Sequence, residues 1–232
     1  MTLLLATGLL RERRILAAPG VEAVAGGGDH ARLEAELHRL APAARGIISM
    51  GIAGALAPDL RPGDWVVASA VLDGTTRTEA DPAWAERLLA VLAAARHGVV
   101  LGTDTMIADA LAKAALHRQS GAIAADMESH VAARVARHHG LPFAVARVVS
   151  DAADRTLPPA ARVGMRPDGG MDLPAVLRAL MAAPLQLPAL IRTGLEAERA
   201  FRSLLRGHRR LGSGLLGPRP RTDLCQLPLD MP

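Results

Sequence analysis

Aromatic side chains are almost missing from this chain, with two Trp, two Phe and no Tyr in 232 residues. Proteins that grip single-stranded nucleic acid need rings on which bases can stack, so the composition argues against that class and no nucleic-acid partner is expected. Cysteine is also scarce. Cys225 stands alone in a Pro-rich tail, so there is no intrachain disulfide and no thiolate-built zinc cage. No apolar run reaches the ~18 residues of a membrane span. MTLLLATGLL is short and runs at once into RERR, so it reads as a first buried strand and not as a secretory signal. A cytoplasmic protein is therefore expected. The eight histidines are scattered, and His138 and His139, adjacent on a helix, should point in different directions. No metal and no cofactor are expected.

Half of the residues are hydrophobic, ample for one α/β core, and apolar runs alternate with helical patterns. Leu3–Thr7, Val21–Ala25, Ile47–Met50, Trp65–Val71, Val99–Leu101 and Phe143–Val149 read as strands. Asp29 can cap a helix through about Leu40, with Leu33, Leu37 and Leu40 on one face. Further helices are expected over Pro82–Arg96, Ile107–Arg118 and Met127–His139. Thr156–Met171 reads as a loop. Beyond Asp172 two helical patterns are separated by Pro184 and Pro188, the second running from about Leu187 to Arg210 with an apolar stripe. The net charge of +4 is uneven: Phe201 to Arg221 holds six arginines and no acid. This divides the chain into a domain over 1–183, an amphipathic helical extension over 184–211, and a tail over 212–232 expected to be disordered.

Two segments carry the chemistry. One is Gly46–Asp64, GIISMGIAGALAPDLRPGD; the other is Ala125–Asp154, ADMESHVAARVARHHGLPFAVARVVSDAAD. Each is an apolar strand-like run ending in small or acidic residues, where backbone N–H groups and carboxylates can meet a ligand. The loop expected over Gly51–Gly54 would let the backbone approach a substrate closely. Glu128 at a helix start and Asp151 at a strand end are two carboxylates that one pocket could share. Each has a plainer alternative, Asp151 as the cap of the next turn and Glu128 as a first-turn residue favoured by the helix dipole.

Gly51-Ile52-Ala53-Gly54-Ala55-Leu56 with Gly63-Asp64, and Met127-Glu128, Ala132, Pro142-Phe143, Arg147 and Ser150-Asp151-Ala152-Ala153-Asp154, resemble motifs of the purine nucleoside phosphorylase/nucleosidase superfamily. Over about residues 1–155 the likeness is to its methylthioadenosine/adenosylhomocysteine nucleosidase branch. It implies a three-layer nucleoside phosphorylase-like α/β fold, a central mixed sheet flanked by helices, here with a C-terminal amphipathic helical extension. It also implies that Asp151 is the general acid on adenine N7 and that Glu128 holds the ribose and stabilises its cation-like transition state, with Met127 against the sugar. Ser150, Phe143 and the run Gly51, Ile52, Ala53, Gly54 are the remaining substrate contacts. An acid just after the first strand would hold the attacking water, and Glu12 is the only candidate, a surface glutamate being the alternative. Arg147 is read as either structural or functional. Hydrolysis is favoured over phosphorolysis because the strand before the glycines has Ser49-Met50 where an arginine would hold phosphate, while Arg11, Arg13 and Arg14 near strand one keep a phosphorylase, leaving the 1-phosphate, as the alternative.

LPALIRTGLEAERAFRSLLRGH, added to these motifs, resembles the hopanoid-associated branch, whose members remove adenine from adenosylhopane and leave ribosylhopane. That implies an adenosyl-containing, lipid-linked substrate, a homodimer, and peripheral contact with the inner face of the membrane through residues 187–210. A helix packed on its own domain or on a dimer mate is the alternative. A salvage nucleosidase for methylthioadenosine or adenosylhomocysteine and a non-catalytic nucleoside-binding module also remain open.

Overall fold

The computed structural model describes residues 2–92, 94–163, 170, 172–215 and 217–218. Strands β1 (Thr2–Thr7), β2 (Val21–Ala25) and β3 (Ala44–Ala55) lie parallel, separated by the helices α1 (Leu10–Ile15) and α2 (His30–Leu40). β4 (Trp65–Asp73) and β5 (Thr76–Glu79) form a hairpin, followed by α3 (Pro82–Val91), β6 (Arg96–Gly102), α4 (Ala110–Ser120) and β7 (Ala124–Asp126). α5 (Ser129–His139) leads into β8 (Phe143–Asp151), and α6 (Pro159–Arg162), α7 (Leu173–Ala182) and α8 (Leu187–Leu215) follow. All eight strands join one sheet, in the order β2-β1-β3-β7-β6-β4-β5. β8 pairs with β3 in parallel and with β4 antiparallel, so β3, β8, β4, β6 and β7 close into a ring.

The sheet is mixed and covered on both faces, giving three layers. On one face Leu33, Leu37, Val131 and Val135 of α2 and α5 pack on Leu4, Ile47 and Val145. On the other, Trp84 and Leu88 of α3 and Phe201, Leu204 and Leu211 of α8 cover Leu3, Leu5, Met50, Trp65 and Val67. α8 crosses the sheet closely at Gly207, where a Cβ would stand 2.2 Å from the Trp65 ring.

Several expectations are corrected. Gly51–Gly54 is no loop: it is the second half of the twelve-residue β3, held in register by β8 and then by β7. Its openness comes from Gly51, Ala53 and Gly54 on an otherwise regular strand. α3 stops at Val91 because Ala94, at φ +67°, turns the chain into β6. α4 starts after Asp109, which caps it by accepting the Ala112 N–H. The apolar stripe of α8 has two fates. From Ala200 to Leu211 it is buried against its own domain, which contradicts membrane contact along that half, whereas Leu187, Ile191 and Leu195 are exposed. The helix kinks at Gly212, yet Gly217 accepts from Arg87 through its carbonyl, so order extends past residue 212. Residues 219–232, with Cys225, lie outside the described residues.

Candidate active site

The carboxyl ends of β1, β3 and β8 and the start of α5 meet at one place. Glu12 folds back from α1 and is buried. It accepts from Thr7 Oγ1 (2.5 Å), the Gly8 and Leu9 N–H groups (2.8 and 2.7 Å) and the Ile52 N–H of β3 (2.7 Å). A Cβ on Gly51 would lie 2.5 Å from Glu12 Oε1, so only glycine lets the carboxylate sit against the strand. The surface-glutamate alternative is therefore excluded.

Glu128 precedes the first turn of α5, but its side chain makes no cap. Asp126 takes that task, accepting the Glu128 and Ser129 N–H groups at 2.9 and 2.7 Å and the Ser129 hydroxyl at 2.5 Å. Glu128 is thereby free to reach across to β1, where a Cβ on Gly8 would come within 2.7 Å of its Oε1.

Arg147 is completely buried on β8. It lies 3.3 Å from Glu128 Oε2 and donates to the Ser49 hydroxyl at 2.5 Å. Its Nε stands 3.0 Å from Asp126 Oδ2, off the hydrogen-bond direction. Burial alone would pull the guanidinium pKa down, but the carboxylates of Asp126, Glu128 and Glu12 outweigh it and hold the pKa above its ordinary value. For Glu128 burial wins: it pushes the pKa up to about 8, with Arg147 opposing and Asp126 and Glu12 adding to the rise. The two partners shift in the same direction for different reasons. Arg147 faces several anions, and Glu128 shares a single cation with two other carboxylates.

Asp151 ends β8 just past a bulge. The ladder steps from Ala53↔Val149 to Gly54↔Asp151, leaving Ser150 as the extra residue, and such a bulge re-aims the side chain that follows. Ser150 Oγ lies 2.6 Å from Asp151 Oδ1 and 3.1 Å from the Ala53 carbonyl. Asp151 Oδ2 accepts from Lys113 Nζ of α4. The line from Gly51, beside Glu12, to Gly54, beside Asp151, is three residues or about 10 Å of strand, enough to lay a nucleoside between the two acids. Met127, half-buried, lies between β7 and α5 next to Glu128.

Phe143 is a correction. It is buried at the amino end of β8, paired with Ile47, eight residues or about 26 Å of strand from Asp151, so it is core and not a substrate contact. Asp126 and Lys113 were missed. Asp126 precedes the Met-Glu pair with nothing local to mark it. Lys113 does carry a signal, since it is the one lysine in a chain with 26 arginines.

The expected absence of metal ligands is also corrected in part. His38, His138 and His139 come together, as do His30, Asp104 and His130, each group with ligand atoms within 4.8 Å of one another. The second trio lies where the 102–106 segment meets α5, with His130 Nε2 3.0 Å from Asp104 Oδ1.

A model of the phosphorylase superfamily matches residues 4–182. No curated protein matches in sequence. Among solved structures the chain is similar to a 5′-methylthioadenosine/S-adenosyl homocysteine nucleosidase of Helicobacter pylori. That likeness has TM-score 0.63 and 16% identity, covering 91% of this chain and 96% of the other. The corresponding Streptococcus pneumoniae nucleosidase, in complex with 8-aminoadenine, gives TM-score 0.61 at 18% identity over 91% and 100%. A futalosine hydrolase mutant of H. pylori gives 0.55 at 17% over 65% and 90%.

Proposed function

Because the chain belongs to the phosphorylase superfamily, we propose that it cleaves the N-glycosidic bond of an adenosine-type nucleoside with water. One observation carries the reading: Glu12, Glu128 and Asp151, far apart in sequence, meet around a strand on which Gly51 and Gly54 leave room for the carboxylates. The adenine anion leaves poorly, so a proton must reach N7 as the bond breaks, and Asp151 is the group to deliver it. The sugar left behind is cation-like. Glu128 accepts from its hydroxyls and stabilises that charge, and Glu12 on the same side takes a proton from the attacking water. Phosphate is disfavoured in this arrangement. The buried Arg147 already faces Asp126 and Glu128, and the carboxylates would repel an anion.

Within that class the reading is adenosylhopane, cleaved to adenine and ribosylhopane. Its support is the surface beside the site. Leu177, Met181, Leu185 and Ile191 of α7, α8 and the turn between them are exposed. From Leu173 to Leu195 there are two arginines and no acid. Among the described residues no single helix is long and apolar enough to cross a membrane, and the two helices bend by 116° relative to one another. A cavity of about 440 Å³ lies between Asp154–Thr156, in the segment after β8, and Pro188, Arg192, Thr193 and Glu196 of α8. An apolar face flanked by arginines suits a lipid interface, and it lies over 173–195 instead of 187–210. A homodimer remains part of this proposal.

The test is adenine release in detergent from adenosylhopane and methylthioadenosine, with and without phosphate. Preference for the hopanoid, indifferent to phosphate, is expected. Preference for methylthioadenosine would move the protein to nucleoside salvage, strict phosphate dependence would overturn hydrolysis, and no release from either would leave a binding module. Asp151→Asn should bind but lose orders of magnitude in rate. Anionic liposomes should float the wild type and not a variant with Ser at Leu177, Leu185 and Ile191; equal, negligible flotation removes the membrane part.

A further inference from the structure

Lys113 is fully buried, although a lone ammonium is among the costliest groups to take out of water. Its three donor positions are all engaged: with Asp151 Oδ2, with the Ala152 carbonyl at 3.2 Å and with the Arg155 carbonyl at 3.0 Å. Asp151 accepts at both oxygens, from Lys113 and from Ser150. Oδ2 faces an ammonium donor and serves there as an acceptor, yet the reaction proposed above needs a proton at N7. We propose, resting on that reading, that Lys113 stores this proton and supplies it to the base through Asp151.

The balance is simple. The C1′–N9 electron pair leaves with the base. N7 takes a proton from Asp151, and Asp151 Oδ2 takes one from Lys113 Nζ. Water bonds to C1′ and its proton passes to Glu12. Lys113, left as the amine, and Glu12, left as the acid, return to their first states by exchange with solvent, so no co-reactant is needed. Charged and neutral forms of the pair hold the same proton, and a dry site narrows the gap between them because charge separation there is expensive.

The choice of cation points the same way. Every other cationic side chain is arginine, 26 of them, and lysine appears only at this position. A guanidinium would match the carboxylate at least as well but does not release a proton in proteins, whereas a buried lysine can. The other charged groups on surrounding elements are Asp109 capping α4, Asp154 and Arg155 after β8, Glu196 on α8, and the inner cluster of Glu12, Asp126, Glu128 and Arg147.

The alternative is that Lys113 only tethers the segment after β8. Lys113→Arg and Lys113→Met separate the two in the full chain, with thermal melting and adenine binding as checks on the fold. With Lys113 as the proton store, Lys113→Arg keeps the charge and loses at least ~10²-fold in rate, the usual scale of general acid catalysis. Lys113→Met leaves Asp151 to hold the proton unaided, so activity survives only at acid pH and the alkaline limb of the profile moves down. An arginine variant with wild-type rate and profile, or a methionine variant with an unmoved alkaline limb, overturns the proposal. If the arginine variant fails to fold, the methionine profile decides. A wild type that releases no adenine would sink the nucleosidase reading and this proposal with it, whereas an active wild type beside an equally active Lys113→Arg sinks the proposal alone.

A separate observation carries a second site. His38 in the last turn of α2 and His138 and His139 in the last turn of α5 have ring centroids 5.0–5.1 Å apart, and His38 Nδ1 lies 2.9 Å from His139 Nε2. Both helix ends present carbonyl dipoles that favour a cation. We infer that these imidazoles bind a borderline divalent metal such as zinc and clamp α2 to α5. Zn²⁺ titrated into the full chain should bind at one equivalent and raise the melting temperature, reversibly with chelator. His38→Ala and His138→Ala should each abolish both effects. No binding, or binding that neither variant alters, overturns the site.

Discussion

Glu128→Gln offers the sharpest check on the electrostatics of the site. In the folded protein burial, against the pull of Arg147, pushes Glu128 up to about 8 from an ordinary value of 4.5. Between those values the native state keeps a proton that the unfolded chain has released. Stability therefore falls as pH rises, by about 1.4 kcal/mol per pH unit for one proton. From pH 5.5 to 7.5 the wild type should lose on the order of 2–3 kcal/mol through this group, out of the ~5–15 kcal/mol typical of a domain. The whole window, 4.5 to 8, corresponds to something on the order of 5 kcal/mol. Glutamine has nothing to titrate. Whatever constant offset the substitution introduces, the stability difference, variant minus wild type, should climb with pH. Urea unfolding followed by circular dichroism at pH 5.5, 6.5 and 7.5 measures it. Wild-type and variant curves that stay parallel would refute the reasoning, and with it the view that Glu128 is protonated in the empty site.

Three further outcomes follow from the same geometry. Arg147→Met leaves Asp126, Glu128 and Glu12 without their shared cation and should cost ~3–5 kcal/mol in denaturant unfolding. Gly51→Ala forces Glu12 off the strand, since the new Cβ would stand 2.5 Å from its oxygen; adenine release should drop at least ~10-fold with unchanged far-UV circular dichroism. Phe143→Leu should cost ~1 kcal/mol of stability and leave KM for the nucleoside alone, because the side chain is core at the far end of its strand.

The long elements were legible because each repeats its own signal. β2 runs over Val21–Ala25 as the apolar run predicts, and α2 starts after Asp29 because that carboxylate accepts the Arg32 N–H. α1, β5 and β7 have six, four and three residues, too few for a period to stand out. The site was legible where chemistry follows the chain, as with Ser150 beside Asp151. Partners brought in by the fold were not. ALAKAAL reads as a solvated helix until β8 arrives over Lys113. His138 and His139 do not point apart, since their ring centroids are 5.0 Å from each other; His38 from α2 meets both, and no local rule foresees a third ring. Phe143 failed for the converse reason: a motif neighbour eight residues along a strand is a distant neighbour in space.

Formal charge ties the site to its substrate. Glu12, Asp126, Glu128 and Asp151 are four carboxylates, and among the described residues Arg147 and Lys113 are the cations in contact with them. With every group ionised the cluster would carry two negative charges in a buried space. The empty protein relieves part of this by protonating Glu128, the carboxylate pushed up to about 8. In the proposed reaction a sugar turning cation-like would supply positive charge beside that same group and favour release of its proton to solvent. The resulting carboxylate would stabilise the transition state more than the ground state, which is what acceleration requires. A neutral nucleoside at rest gains little from it. Cationic ribose mimics should therefore bind by displacing the Glu128 proton, and their affinity at pH 6 should be weaker than at pH 8 by up to the tenfold per pH unit that one linked proton allows. Affinity independent of pH over that range would mean that Glu128 is already ionised before substrate arrives.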